Sequence, residues 1–342
     1  MPATFLPRLV NGKFEDPGLF IPFRHENRAV IFDLGNIDAL SPRDLLKITH
    51  CFITHTHMDH FIGFDTLLRL MLGRSKTLCL FGPEGFLTRI EGKLKGYEWN
   101  LVDNFKDSLI IEATEVKKDS LRTRRYLCKH RFEVAKEDIQ VPFTGKILDE
   151  PSFSVSTVIL DHGIDCLGFK LEERFHVNIK KTAVYDMGLD IGPWLKDFKK
   201  ALFDKTPMES VFEVNCGGRE KYSLGELAEK IAVITPGQRF TYITDTICSE
   251  DNMDKIIDFA RHSDHLFIET AFLESEKEAA IEKCHLTARC AGDIARRAGA
   301  RNITLFHFSP RYQGLAQQIE HEAMDAYNSR LSARTADINT ML

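Results

Sequence analysis

No C-x-x-C pair occurs in this chain, and its eight cysteines (Cys51, Cys79, Cys128, Cys166, Cys216, Cys248, Cys284 and Cys290) are scattered. Several sit in apolar runs where a thiol packs as a small hydrophobe, so all eight are expected to be reduced. No window approaches the apolar length needed to span a bilayer. The amino terminus, MPATFLPRLVNGKFEDPG, has no basic stretch leading into an unbroken apolar one, and the expectation is a soluble, cytoplasmic protein with no membrane partner. Excess charge is missing too. A net charge of -5 and a pI near 6.2 exclude coating of nucleic acid by the overall field, leaving only a local basic patch. Repeats and low-complexity tracts are absent. At 342 residues with 43% hydrophobic content, the chain can bury a large core as one big domain or two ordinary ones, and an ordered chain is expected.

Along the chain, RAVIFD (28–33) reads as a strand and residues 41–46 as a helix started by Ser41-Pro42. HCFIT (50–54) is a second strand that runs into HTHMDH, and residues 61–72 are apolar at helical spacing up to Gly73. TLCLF (77–81) is another strand, 84–94 a helix, and strand-like pieces continue to about Lys170. Among them lies a basic cluster, Lys117, Lys118, Arg122, Arg124, Arg125, Lys129 and Arg131, which we read first as a solvated hairpin face. From about 170 to 238 the composition shifts, with Gly188, Gly192-Pro193, Gly217-Gly218 and Pro236-Gly237, as in an insertion or irregular excursion within a single domain spanning 1–342. Strand and helix alternation then resumes at 240–244, 251–261, 266–269, 287–298 and 303–306.

The chemistry concentrates in HTHMDH. His55 and His57 are two apart at the end of an extended run, so both imidazoles leave the same side and can grip one ion. Asp59 and His60 follow, and a turn would swing them toward a second. Mixed carboxylate and imidazole donors suit two Zn2+ ions, with Mn2+ or Fe2+ as alternatives. Structural zinc sites are usually closed and cysteine-rich, unlike this cluster. Three more candidate donors end apolar runs: His162 in STVILDH, Asp245 in FTYITD and His307 in NITLFH. Four runs thus deliver a ligand type to one sheet edge, provided the strands are neighbours. The assignment is His55, His57 and His162 on one ion, Asp59, His60 and His307 on the other, and Asp245 between them, with Asp161 as the rival carboxylate. Paired ions would lower the pKa of a water to supply hydroxide near neutral pH, which suits phosphoester or acyl hydrolysis.

THTHMDH with the distant His, Asp and His resembles the metallo-β-lactamase superfamily, and the closing segment HFSPRY is most similar to its ribonuclease Z branch. The resemblance runs from RAVIFDLG through FGPEGF, LDHGIDCLGFKLEE and YITDT to HLTARCAGDIARRAGA. It implies an α/β, αββα four-layer sandwich, a homodimer, and a phosphodiesterase that removes the 3′ trailer of precursor tRNA. On that model Asp59 orients or deprotonates the attacking water, and His285 protonates the leaving oxygen with Glu269 supporting its ring. Ser309 and Arg311 would hold substrate phosphate, and Gly192-Pro193 with Lys196, Lys199 and Lys200 would belong to an RNA-gripping arm. The chain departs from the family pattern at its opening, at Ile268 where histidine is usual, and at Met58 where glycine is common. The alternative is a metallo-hydrolase of a small phosphodiester or related ester, in which 170–238 would be a lid. A binding or regulatory protein that keeps the fold without catalysis is a third class, disfavoured by the full ligand set.

Overall fold

The computed structural model describes residues 4–24, 26–134, 138–215 and 219–329. Eight strands form one sheet in chain order: β1 (Arg8–Leu9), β2 (Leu19–Pro22), β3 (Ala29–Phe32), β4 (Ile48–Phe52), β5 (Lys76–Gly82), β6 (Leu109–Val116), β7 (Ser120–Leu127) and β8 (Ile139–Pro142). The second sheet has the order β18-β17-β16-β11-β10-β9, built from β9 (Lys146–Asp149), β10 (Phe153–Asp161), β11 (Asp165–Glu173), β16 (Arg239–Ile243), β17 (His265–Glu269) and β18 (Ile303–Phe306). Because β10 and β16 are both antiparallel to β11, and β16, β17 and β18 are mutually parallel, four strands of this sheet end on the same rim.

Period-two side-chain alternation sorts these strands into layers. Val30, Phe32, Phe52, Phe169, Phe240, Tyr242, Phe267 and Phe306 point between the sheets and form one aromatic-rich core. Their neighbours Ala29, Ile31, Cys51 and Leu80 face outward onto α3 (Phe64–Met71) and α4 (Phe86–Lys95). On the far side, Ile243, Leu266, Ile268 and Leu305 face α8 (Glu250–Phe259), α10 (Ala288–Ala298) and α11 (Ala316–Asn328). Three cores between four layers make an αββα sandwich. Helix α10 begins at an N-cap, Thr287, whose side chain accepts from Cys290 N, and ends at left-handed Gly299. It lies so close to α11 that a Cβ on Gly292 would stand 2.1 Å from Ala323 O, a separation only glycine allows.

Residues 175–236 are regular rather than irregular. They comprise β12 (Phe175–Ile179), α5 (Lys181–Asp186), α6 (Trp194–Phe203), β13 (Val211–Asn215), β14 (Arg219–Ser223), α7 (Leu224–Ile231) and β15 (Ala232–Pro236). Val177, Val184, Trp194, Phe198, Leu227 and Ile231 give this unit a core of its own, and the β12–β15 ladder joins it to β11 and β16. Gly217, Gly218 and Cys216 lie outside the described residues. Among the described residues no helix is long and apolar enough to cross a membrane.

Two expectations are corrected. The helix expected over 61–72 is α3 preceded by a separate turn, α2 (Met58–Phe61), because the chain turns at Gly63 to pass over Leu34 and Gly35. The cysteines are not all free thiols: Cys248, just before α8, is bridged to Cys290 in the first turn of α10, with Cα atoms 6.6 Å apart. A separation of 42 residues leaves no spacing signature for that pair; the packing of α8 against α10 creates it. The basic cluster on the β6–β7 hairpin is largely paired. Arg122 and Arg124 both bond Asp138, Arg124 also meets Glu91, Arg125 meets Glu112 and Arg131 meets Asp103.

Candidate metal centre

Each donor arrives at the end of a strand or in the turn after it. His55 follows β4 and His57 is the N-cap of α2, which carries Asp59 and His60. His162 lies in the β10–β11 hairpin, Asp245 follows β16, and His307 follows β18 with φ of 59°, left-handed for a non-glycine residue. The two sheets meet at this rim, where Leu167 N donates to Thr54 O at 2.8 Å. The turn bearing Asp59 and His60 is seated by Leu34 N donating to His60 O and Gly63 N donating to Leu34 O, both at 2.8 Å. A Cβ on Gly63 would come within 2.3 Å of Gly35 O, so this close crossing also requires glycine.

The seven donors converge. His55, His57, His162 and Asp245 form one group and Asp59, His60 and His307 another, each with its donor atoms within 4.8 Å of one another. Asp245 stands between them: Oδ2 is 3.6 Å from His55 Nε2, 3.6 Å from His162 Nε2 and 3.3 Å from His60 Nε2, while Oδ1 is 3.1 Å from His307 Nε2. Asp59 Oδ2 lies 3.5 Å from His60 Nε2 and 3.8 Å from His307 Nε2. Asp161 is spent elsewhere, its Oδ1 accepting from Gly163 N in the hairpin.

Hydrogen bonds behind the rings fix the tautomers that metal binding needs. His162 Nδ1 donates to Cys284 O at 2.7 Å, His60 Nδ1 to Asp33 Oδ2 at 2.9 Å, and His55 Nδ1 to Thr54 Oγ1 at 3.1 Å. Their Nε2 atoms therefore face inward. The buried Nε2 atoms of His55, His60 and His307 have no hydrogen-bond partner, an arrangement costly for three polar atoms unless cations take the lone pairs. Burial, with His60 beside it, pushes His55 down to about 2, so its ring is neutral and free to coordinate. Burial opposes charge on Asp245, yet His60 and His307 hold its carboxyl well below the usual range. The donor set fits a pair of divalent cations.

His285 sits beside this cluster between α9 (Lys277–Glu282) and α10, its Nδ1 2.9 Å from Glu269 Oε2 and 3.9 Å from Asp245 Oδ1. Glu269 ends β17, and its other oxygen accepts from Thr246 N at 2.9 Å and Leu286 N at 3.2 Å. The carboxylate thus ties the loop after Asp245 to the segment bearing His285. Burial pulls the His285 pKa down, but Glu269 and then Asp245 outweigh it and raise the pKa to about 9. Ser309 and Arg311 lie just beyond His307, where Arg311 Nη1 bonds Glu276 Oε2 at 2.7 Å and the guanidinium stacks over Phe272.

Asp33 was not singled out from the sequence, although it too ends an apolar strand run. It is fully buried, has φ of 58°, and accepts from Thr54 N, Thr54 Oγ1, His60 Nδ1 and Tyr242 Oη. Four donors on one carboxylate hold His60 and, through Thr54, His55. Asp33→Asn would present an amide N–H to groups that are themselves donors, and metal affinity should fall about 10- to 100-fold. Metal titration followed by bound-metal analysis checks this; unchanged affinity would remove Asp33 from the site.

No family model matches the chain. It is 28% identical over 287 residues to ribonuclease Z of Deinococcus radiodurans, covering 83% of each chain. It is 26% identical over 346 residues to ribonuclease Z of Nitrosopumilus maritimus, covering 98% of this chain and 97% of the other. Among solved structures, the metallo-β-lactamase fold protein YhfI of Bacillus subtilis superposes with a TM-score of 0.52 at 13% identity, covering 94% and 92% of the two chains. The layers, the rim of donors and these likenesses lead to one statement: this is a chain of the metallo-β-lactamase fold whose sequence relatives include ribonucleases Z.

Proposed function

We propose that the protein is a dinuclear metal-dependent phosphodiesterase that cleaves the 3′ trailer from precursor tRNA, with zinc as its metal and a homodimer as its working form. The observation that supports it most is the convergence of seven His and Asp donors in a chain similar to ribonuclease Z over nearly its whole length. His55, His57 and His162 would hold one ion, Asp59, His60 and His307 the other, and Asp245 would serve both. When bound, such ions lower the pKa of water and neutralise charge developing on phosphate oxygens. The chain's own groups do the rest. Asp59, half-exposed at the mouth, would accept a proton from the attacking water. His285, held in one orientation by Glu269, carries the proton the leaving oxygen needs. Buried Asp33 and Thr54 keep two ligand rings from rotating.

The unit from 175 to 236 is the candidate arm. It leaves β11 at Glu173 and rejoins β16 at Arg239, the strand ends opposite His162 and Asp245, which favours a body that stands out from the sandwich over a flap folded onto the metals. It balances nine basic residues against nine acidic ones, so RNA contact would come from a local face and not from a field. On α6, Lys196 is exposed, Lys199 is half-buried and Lys200 pairs with Asp204. Gly192 and Pro193 immediately precede that helix.

Purified protein with zinc or manganese, incubated with precursor tRNA, is expected to release the 3′ trailer with a 5′ phosphate. Failure to release it under conditions where bis(p-nitrophenyl) phosphate is hydrolysed would replace tRNA with a small diester as the substrate.

A further inference from the structure

The disulfide between Cys248 and Cys290 joins two pieces of the site. Cys248 is three residues beyond Asp245, and Cys290 is five beyond His285. The two ends differ in backbone strain. The Asp245 side is secured without the disulfide: Thr246 N bonds Glu269, Ile247 N bonds Asp161 O, and Asn252 Nδ2 reaches Asp161 O, Thr246 Oγ1 and Ile247 O. The His285 side has bonds of its own, Leu286 N to Glu269, His285 N to Ala280 O and Ala288 N to Phe272 O, but its chain passes through Cys284, a non-glycine residue at φ of 61°, before reaching His285. That left-handed turn aims Cys284 O at His162 and His285 at Glu269, and such a conformation persists only when its surroundings restrain it. The disulfide pins the helix that follows. Both cysteines also line a cavity of about 620 Å³ shared with His285, Thr287 and Met253, the side from which a small reagent would approach the bond.

We propose that Cys248–Cys290 is a redox-controlled positioning element, whose formation holds the His285 segment for proton delivery and whose reduction slows turnover without releasing the metals. The role given to His285 rests on the proposed phosphodiesterase reading. The chemistry is thiol–disulfide exchange with a low-molecular-weight thiol: one thiolate attacks a sulfur to give a mixed disulfide, a second displaces it, and the products are two protein thiols and one small disulfide. Oxidised glutathione reverses the step, taking up the two electrons as two glutathione thiols.

The test compares oxidised protein with protein reduced by tris(2-carboxyethyl)phosphine, with freed thiols and bound metal counted in each. Reduction should lower kcat about tenfold, a cost in keeping with a small misplacement of a catalytic group, with KM and metal content unchanged, and oxidised glutathione should restore it. Cys248→Ser/Cys290→Ser should show the low rate in both states. In His285→Ala, reduction should cost nothing further; an equal loss there would show that the bond acts through another group. Equal kcat in both states, or a loss accounted for by lost metal, overturns the proposal. A readout independent of activity is amide hydrogen exchange, which should rise on reduction in residues 283–291 and not in 246–252. If no phosphodiester is turned over in either state, the functional reading fails while the exchange measurement still decides the link: unchanged exchange in 283–291 refutes it.

Discussion

His55→Ala is expected to lose at least one metal ion per chain and to lower phosphodiester turnover on the order of 10³-fold or more, since the ions are asked to supply several kcal/mol of charge stabilisation. The ring is fully buried, its Nδ1 is engaged by Thr54, and its Nε2 is one of three orphaned buried nitrogens at the rim. Alanine removes a donor from the group that also contains His57, His162 and Asp245, and leaves Asp245 buried with one fewer partner. Metal analysis of the purified variant, alongside turnover of bis(p-nitrophenyl) phosphate, decides the matter. A variant with full metal and full activity would dissolve the assignment. Because metal binding stabilises only the folded chain, a chelator should lower the Tm of the wild type and have a smaller effect on the variant.

His285→Ala separates the acid from the metals. Its imidazole is not in either of the two groups assigned as ion ligands; it stands 3.9 Å from Asp245 and is held by Glu269. Bound metal should remain at the wild-type level while kcat falls about 10²- to 10⁴-fold. The pH profile carries the signature. Glu269 and Asp245 raise the His285 pKa to about 9 against the pull of burial, so the ring holds a proton at neutral pH. The protonated form is the active one, and kcat should fall as pH rises through that pKa; bound cations would move the limb to lower pH. The limb should vanish in His285→Ala. In Glu269→Gln it should shift to lower pH, because the neutral amide no longer favours the imidazolium. Retention of the limb in His285→Ala would assign it to another group.

How much of the site was readable depended on whether a residue's role is written in its own neighbourhood. His55, His57, Asp59 and His60 share six residues, so strand alternation and one turn suffice to bring them together. His162, Asp245 and His307 were readable only as strand ends, and their meeting required that β10, β16 and β18 run the same way in one sheet. Asp161 and Asp245 look alike in sequence, each closing an apolar run. The hairpin separates them, since Asp161 folds back onto Gly163 N while Asp245 faces four imidazoles. Asp33 closes a run in the same manner, yet its partners Thr54, His60 and Tyr242 lie 21, 27 and 209 residues away. The 170–238 excursion looked irregular because its glycines and prolines mark short connections between small elements, which build a core only once all of them are present.

Local patterning alone set the alternating strands, the helix caps at Ser41 and Thr287, and the chemical type of every donor at the metal centre, because these depend on side-chain direction and residue chemistry within a few positions. The pairing of strands fixed everything that depends on distance. Which carboxylate faces the histidines, which donors support their rings, and that Cys248 meets Cys290 all follow from how two sheets and their helices pack, and packing joins residues whose separation in sequence carries no signal.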